Sequence, residues 1–222
     1  MTESTWTHRL TDPDPAVLRL LDDPDEVTAR ILTAAVEQMA TVGWRRSTME
    51  DVAKRAKVGR ATVYRKFPNK TVLTDAVLHD ELRKYLAGST AAVAGRTDIA
   101  ERLAESAAYT TEYLREHRLL RRLLDTEPDT ALPGLTLDAG PIIGLFREFC
   151  VALWKHELYG DTPISDHTEQ HLRTVAELHI RIALSLLLTT DTAIALDTTD
   201  QAREFARHYL APMLTTPPDQ PE

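Results

Sequence analysis

From Val27 onward, apolar residues recur at a helical period. Val27, Ile31, Ala34, Ala35, Met39 and Val42 share one face, and Gly43 stands where a C′ glycine would end that helix. Met49, Val52, Ala53 and Ala56 line a second, short helix, which opens at Thr48 with Asp51 three residues on. That spacing is capping-box-like, with Asp in place of the usual Glu. "KVG" reads as a tight turn. A third helix is expected from about Arg60 to Phe67, with Val63 and Phe67 one turn apart and facing inward. Pro68 stops it, and Asn69 is suited to cap a fourth helix through "KTVLTDAVLHDELRKYLA".

Beyond Gly95 the pattern predicts helices over about 98–125, 141–159, 167–189 and 199–211. "EPDTALPG", "YGDTPISD" and "TTDTAIALDTT" carry the breakers between them and read as loops. No stretch alternates with period two. The expected fold is therefore all-α: a small N-terminal three-helix unit, a connecting helix and a larger helical bundle. The expected division is an acidic, Pro-rich arm over 1–26, a helix-turn-helix domain over 27–73, a helical domain over 74–215 and a flexible tail over 216–222.

Charge sharpens this picture because it is unevenly spread. The chain carries −8 overall, yet Trp44 to Lys70 holds nine cations against Glu50 and Asp51, a local +7 that leaves −15 for the rest. A basic island in an acidic protein points to a polyanionic partner. No run of eighteen apolar residues appears, and the N-terminus has no basic region leading into an apolar stretch. The single cysteine, Cys150, excludes an internal disulfide framework and suits a reducing compartment, so a cytoplasmic address is expected. No Gly-rich phosphate loop, nucleophile elbow or triad order is found. Neither an enzyme nor a bound cofactor is expected.

Two short helices joined by a tight turn, the second bearing cations beside small residues, match a DNA-binding helix-turn-helix. A recognition helix must approach the groove floor, which short residues such as Gly59, Ala61 and Thr62 allow. Arg60, Ala61, Thr62 and Arg65 are the candidates for base edges, Arg60 through guanine O6 and N7. Thr48, Tyr64, Lys66 and Lys70 are the candidates for phosphates, with Arg45 and Arg46 near the backbone or minor groove. The stretch "STMEDVAKRAKVGRATVYRKFPNKTVL" resembles the DNA-binding segment of the tetracycline-repressor (TetR) family of bacterial transcriptional regulators, over roughly residues 28–75. The resemblance implies a homodimer that binds a near-palindromic operator on double-stranded DNA and releases it when a small molecule enters the C-terminal domain. Two departures stand out. Where the family commonly has Gly and then Ser in a form like "AGVS", this chain has Lys57 and Gly59. A positive φ at Lys57 would cost about 1 kcal/mol relative to Gly.

In the bundle, Ile180 to Leu188 is apolar nearly all round, and Ala202, Phe205, Ala206, Tyr209, Leu210 and Met213 form a stripe on the last helix. These two helices are the expected dimer interface. Tyr109, Tyr113, Phe146, Phe149, Cys150, Trp154 and His179 are the candidate lining of an effector pocket, apolar with a few polar groups. His179 also reads as a hydrogen-bonded core histidine. His167 and His171 lie four apart, a spacing that permits two metal ligands, but "HTEQH" lacks the glutamate of the zinc-protease motifs and no metal site is expected. The alternatives are a metal-responsive regulator and an effector-independent one.

Overall fold

The computed structural model describes residues 24–189 and 191–215, which are helical and contain no strand. In chain order the helices are α1 (Glu26–Val42), α2 (Met49–Ala56), α3 (Arg60–Lys66), α4 (Lys70–Ala92), α5 (Ile99–Glu116), α6 (Arg118–Thr126), α7 (Pro128–Leu135), α8 (Gly140–Tyr159), α9 (Asp166–Leu188) and α10 (Thr199–Phe205). A π-helical turn, Ala206–Leu210, joins α10 to α11 (Ala211–Thr215). The helix-turn-helix pattern is present as expected. Most of the arm expected over 1–26, and the tail over 216–222, lie outside the described residues; Asp25 caps α1 and Glu26 opens it.

Two compact units emerge. One takes the described residues up to Leu86 together with His117–Pro141; the other takes Ala87–Glu116 and the described residues from Ile142. The compact unit around the helix-turn-helix thus reaches beyond residue 73 and recruits α6 and α7. Its core joins Ile31, Leu32 and Met39 of α1, Val52 of α2, Val63 and Phe67 around α3, and Leu73 and Val77 of α4 to Leu119 and Leu123 of α6. The second unit has its own core, in which Leu103 of α5, Val151 and Trp154 of α8, Leu172 and Val175 of α9 and Leu214 of α11 meet.

Caps fix the geometry of the helix-turn-helix. Thr48 accepts from the Asp51 amide at 3.2 Å, while its hydroxyl donates to the Asp51 carboxylate at 2.6 Å. At the other end of α2, Lys57 adopts the left-handed conformation, φ 54°. The Val58 amide donates to Ala53 O and the Lys57 amide to Lys54 O, the paired bonds of a Schellman motif. Arg30 adds bonds from Nη2 to the carbonyls of Ala56 and Lys57, at 2.8 and 3.2 Å. Gly59 caps α3 without a side-chain bond, and Asn69 Oδ1 accepts from the Val72 amide at 3.0 Å at the start of α4. Because Lys57 supplies a side chain where the backbone favours glycine, Lys57→Gly should stabilise the unit by up to about 1 kcal/mol. Urea unfolding should show this as a raised midpoint at constant m-value; a lowered midpoint would mean that the lysine stem contributes more than the strain.

Three expectations need correction. The helix expected over 98–125 is broken at His117, whose backbone leaves the helical region (ψ 86°) and whose Nδ1 accepts from the Leu120 amide at 3.1 Å. A histidine acts here as an N-cap. "EPDTALPG", read as a loop, contains α7. Pro128 sits in its first turn, where a missing N–H costs nothing, and Pro133 forfeits a single ladder bond while Ala131, Gly134 and Leu135 are buried. The helix expected over 199–211 widens into the π turn, with the Ala211 amide bonded to Ala206 O. Pro212 would collide with the His208 carbonyl in a regular α-helix, and the extra residue in the turn accommodates it.

Candidate nucleic-acid interface

Helix α3 presents two faces of opposite character. Val63 is fully buried with Phe67 just beyond it, while Arg60, Ala61 and Arg65 are exposed and Thr62 and Tyr64 half-buried. The short side chains at 59, 61 and 62 let this outer face approach a surface closely, with arginines on either side. All four residues expected to read bases belong to this one helix.

Several of the expected cations already have internal partners. Arg60 Nη2 lies 2.7 Å from Glu50 Oε1, and the Tyr64 hydroxyl donates to the same oxygen at 3.1 Å. The Arg60 guanidinium also stands 5.3 Å from the Tyr64 ring centroid. Lys66 Nζ pairs with the exposed Asp25 carboxylate at 2.6 Å; that hydrogen bond, with one from the Thr28 amide, holds Asp25 well below the usual carboxylate range. Arg45 pairs with Asp129 at 2.6 Å. Arg46 and Arg65 are exposed, and no carboxylate partner is found for them among the described residues.

The loop between α1 and α2 carries Arg45 and Arg46 and is held from two sides. Glu127 accepts from the Arg45 amide at 3.2 Å, and Lys70 Nζ donates to the Arg45 carbonyl at 3.0 Å. Gly43, at φ 97°, takes a backbone conformation that favours glycine, and an added Cβ, 2.2 Å from Glu127 Oε1, would also push that carboxylate aside. Partial burial pushes the Lys70 ammonium below the usual lysine range, against the nearby charge of Glu127. Trp44, Arg45, Lys70, Thr71 and Thr74 line a cavity of about 300 Å³ at the start of α4. Both cations there are already engaged, Arg45 by Asp129 and Lys70 by the Arg45 carbonyl, and the Val72 amide in the first turn of α4 is taken by Asn69. Trp44, Thr71, Glu127 and Asp129 also belong to this region, although the sequence pattern does not single them out. Trp44 and Thr71 border the basic island and were legible in principle; the two acids are more than eighty positions from Arg45 and carried no signal.

The residues expected to line an effector pocket lie on α5, α8 and α9. Tyr109 and Tyr113 have ring centroids 5.8 Å apart on α5. Gly88 is closely approached by Tyr109, whose hydroxyl would sit 2.0 Å from an added Cβ. Trp154 is a core residue, Cys150 packs against the same core, and burial pushes the Cys150 thiol up to about 12. Phe146 and Phe149 are half-buried on α8. His179 meets Trp154 edge-on at 5.6 Å, and its Nε2 donates to the Leu210 carbonyl at 3.2 Å. None of the seven lines a second cavity of about 460 Å³, which is bordered by Arg147, Arg173, Glu177 and Arg181 among others. His167 is exposed and His171 half-buried; among the described residues no three His, Cys, Asp or Glu gather as a metal-binding set.

Burial lowers the His179 imidazole to about 4, partly offset by its bond to Leu210. The unfolded chain therefore takes up this proton first, near 6.5, so the contribution is complete above that pH and is lost as pH falls toward 4. Relative to His179→Gln, which cannot titrate, the wild type should lose on the order of 2–3 kcal/mol between pH 6.5 and 4. Parallel pH profiles of unfolding free energy for the two proteins would contradict this.

On α9, the apolar side chains from Ile180 to Leu188 are all only half-buried within one chain. Leu178 and Tyr209 are exposed at 41% and 67%. No helix among the described residues is long and apolar enough to cross a membrane.

Residues 31–77 match the family model described as "Bacterial regulatory proteins, tetR family". A curated relative, the uncharacterized HTH-type transcriptional regulator YvkB of Bacillus subtilis (strain 168), is 41% identical over 49 residues, 22% of this chain and 26% of the relative. The chain thus matches about a quarter of that relative's length. Among solved structures, the TetR family repressor AlkX from Dietzia sp. strain DQ12-45-1b, implicated in biodegradation of n-alkanes, aligns with TM-score 0.62 at 23% identity, covering 85% of this chain and 97% of that one. The fatty acid degradation regulator FadR from Bacillus halodurans aligns with TM-score 0.50 at 16% identity, covering 85% and 98%. Both likenesses are of fold.

Proposed function

We propose, from the premise that residues 31–77 belong to the tetR family of bacterial regulatory proteins, that this chain is a sequence-specific DNA-binding transcriptional regulator. It acts as a homodimeric repressor in the cytoplasm and is released from a near-palindromic operator by a small, largely apolar ligand. The observation that carries the reading is α3: a buried inner face, and an outer face of short residues set between arginines. Arg60, Ala61, Thr62 and Arg65 meet base edges. Thr48, Tyr64, Lys66 and Lys70 meet phosphates, with Arg45 and Arg46 on the flanking backbone.

The half-buried apolar stretch of α9 and the exposed Tyr209 beside α10 support a second copy of the chain as the occupant of that face. In such a dimer the two α3 helices must sit about 34–36 Å apart to enter successive major grooves. Helix α4 runs without a break from Lys70 to Ala92, beyond Gly88. A ligand seated near Tyr109 would shift that helix and spoil the spacing. Coupling of roughly 1–3 kcal/mol would change operator affinity 5- to 150-fold.

The test is binding of the purified protein to duplex DNA from just upstream of its own coding region, titrated with salt against a random duplex, with sedimentation of the free protein in parallel. A dimer that prefers the upstream fragment supports the reading. A monomer with no preference for any duplex would remove it.

A further inference from the structure

The Trp44–Lys70 segment contains two acids, and they behave differently. Asp51 is occupied by the cap, accepting the Thr48 hydroxyl. Glu50 projects from the first turn of α2 toward the outer face of α3, where one oxygen takes both Arg60 and Tyr64. The Tyr64 ring backs the guanidinium, so acid, cation and ring close a three-membered cluster across two helices. The pair is well exposed, with side-chain exposures of 68% for Arg60 and 47% for Glu50. Exposed ion pairs contribute little to folding. A carboxylate on a surface built to meet phosphates also repels them.

From this we infer that Glu50 is a specificity-determining positioning residue, which holds Arg60 for a guanine edge and against the phosphate backbone. The inference rests on the DNA-binding reading above. A guanidinium has five N–H donors in a fixed fork, so one edge can stay on Glu50 while another faces guanine O6 and N7, which are neutral acceptors. Turning Arg60 onto a phosphate instead strips Glu50 of its partner and sets a carboxylate beside an anion. The penalty falls on backbone-only binding, which is the same on every sequence, and spares the base-reading mode. Discrimination rises because the wrong mode is weakened.

The test compares wild type with Glu50→Gln, Glu50→Ala, Arg60→Ala and the double variant Glu50→Ala/Arg60→Ala. Each full-length protein is titrated with a duplex recovered by selection and with a scrambled duplex of equal length, over a range of salt. Glutamine can still accept from Arg60 but removes the charge. Glu50→Gln should tighten scrambled-duplex binding roughly tenfold and leave the selected duplex within about threefold. Its plot of log affinity against log salt should steepen by about 0.9, one further phosphate neutralised. Preference should relax at the same base pair that Arg60→Ala affects; the double variant should show no further relaxation there than Arg60→Ala, while binding the scrambled duplex more tightly than Arg60→Ala because the unpaired carboxylate is gone. Equal weakening on both duplexes with a lower Tm would make Glu50 merely structural and overturn the inference, as would an unchanged ratio of affinities. If the wild type itself prefers no duplex, the inference falls together with the reading beneath it.

Discussion

Phe67→Ala should destabilise the helix-turn-helix unit by about 3–5 kcal/mol, the range for truncating a fully buried aromatic side chain. Phe67 is 0% exposed and sits immediately after α3, in a core that also holds Val63, Val52 and Leu73. Its loss opens a cavity where α1, α2, α3 and α4 converge, and the well-packed aliphatic neighbours can only partly collapse into it. Domains of this size have only about 5–15 kcal/mol of net stability. The variant should therefore be close to unfolding at 37 °C in this unit, with DNA binding lost as a consequence. Urea titration followed by Trp44 fluorescence would check it. A cost below about 1 kcal/mol would mean that the ring does not occupy this core.

Arg60→Ala should leave folding nearly unchanged and alter recognition instead. Its side chain is exposed and its partners, Glu50 and Tyr64, are themselves partly solvated. If Arg60 gives a bidentate contact to guanine, its removal should cost about 1–3 kcal/mol on the preferred sequence and flatten preference at one position of each half-site. A phosphate contact would weaken all sequences alike and reduce the salt slope by about one unit. Competition between the preferred duplex and single-base variants separates the two. Uniform weakening would transfer the base-reading role to Arg65 or Thr62.

Much of the helix-turn-helix was legible because its signals are local. Thr48 and Asp51 lie three apart, Pro68 and Asn69 are adjacent, and Val63 with Phe67 spans one turn, so short-range rules place all of them. Lys57 lies at the limit of such rules: its left-handed backbone was suggested only by the glycine that the similar family carries at that place, and it is held by the Schellman bonds and by Arg30 reaching across from α1. The break at His117 was hidden for a similar reason. Apolar periodicity continues through it, and only a side-chain bond to Leu120 reveals the cap. α7 was missed because two prolines outweighed the burial of Ala131 and Leu135, although one proline sits where helices tolerate it.

Charge was legible as a sum and not as a network. The island's +7 is real in sequence, yet Arg45, Arg60 and Lys66 meet Asp129, Glu50 and Asp25, two of which come from outside the island. The candidate effector residues were placed by helical spacing alone, and spacing cannot separate a pocket wall from a core. Trp154 lies in the core, and His179 is satisfied by Leu210. Local rules also carry no sign that α6 and α7 pack with the helix-turn-helix helices through Leu119 and Leu123.

Whether α3 reads a specific, two-fold symmetric sequence is decided by selecting duplexes from a fully randomised pool with the purified full-length protein. The expected product is an enriched inverted repeat whose half-site centres lie about one helical turn, or a small multiple of it, apart, with a guanine in each half-site whose preference disappears for Arg60→Ala. Recovered sequences that share only base composition, or that bind no better than the starting pool, would contradict it and leave the basic island as a solvated face.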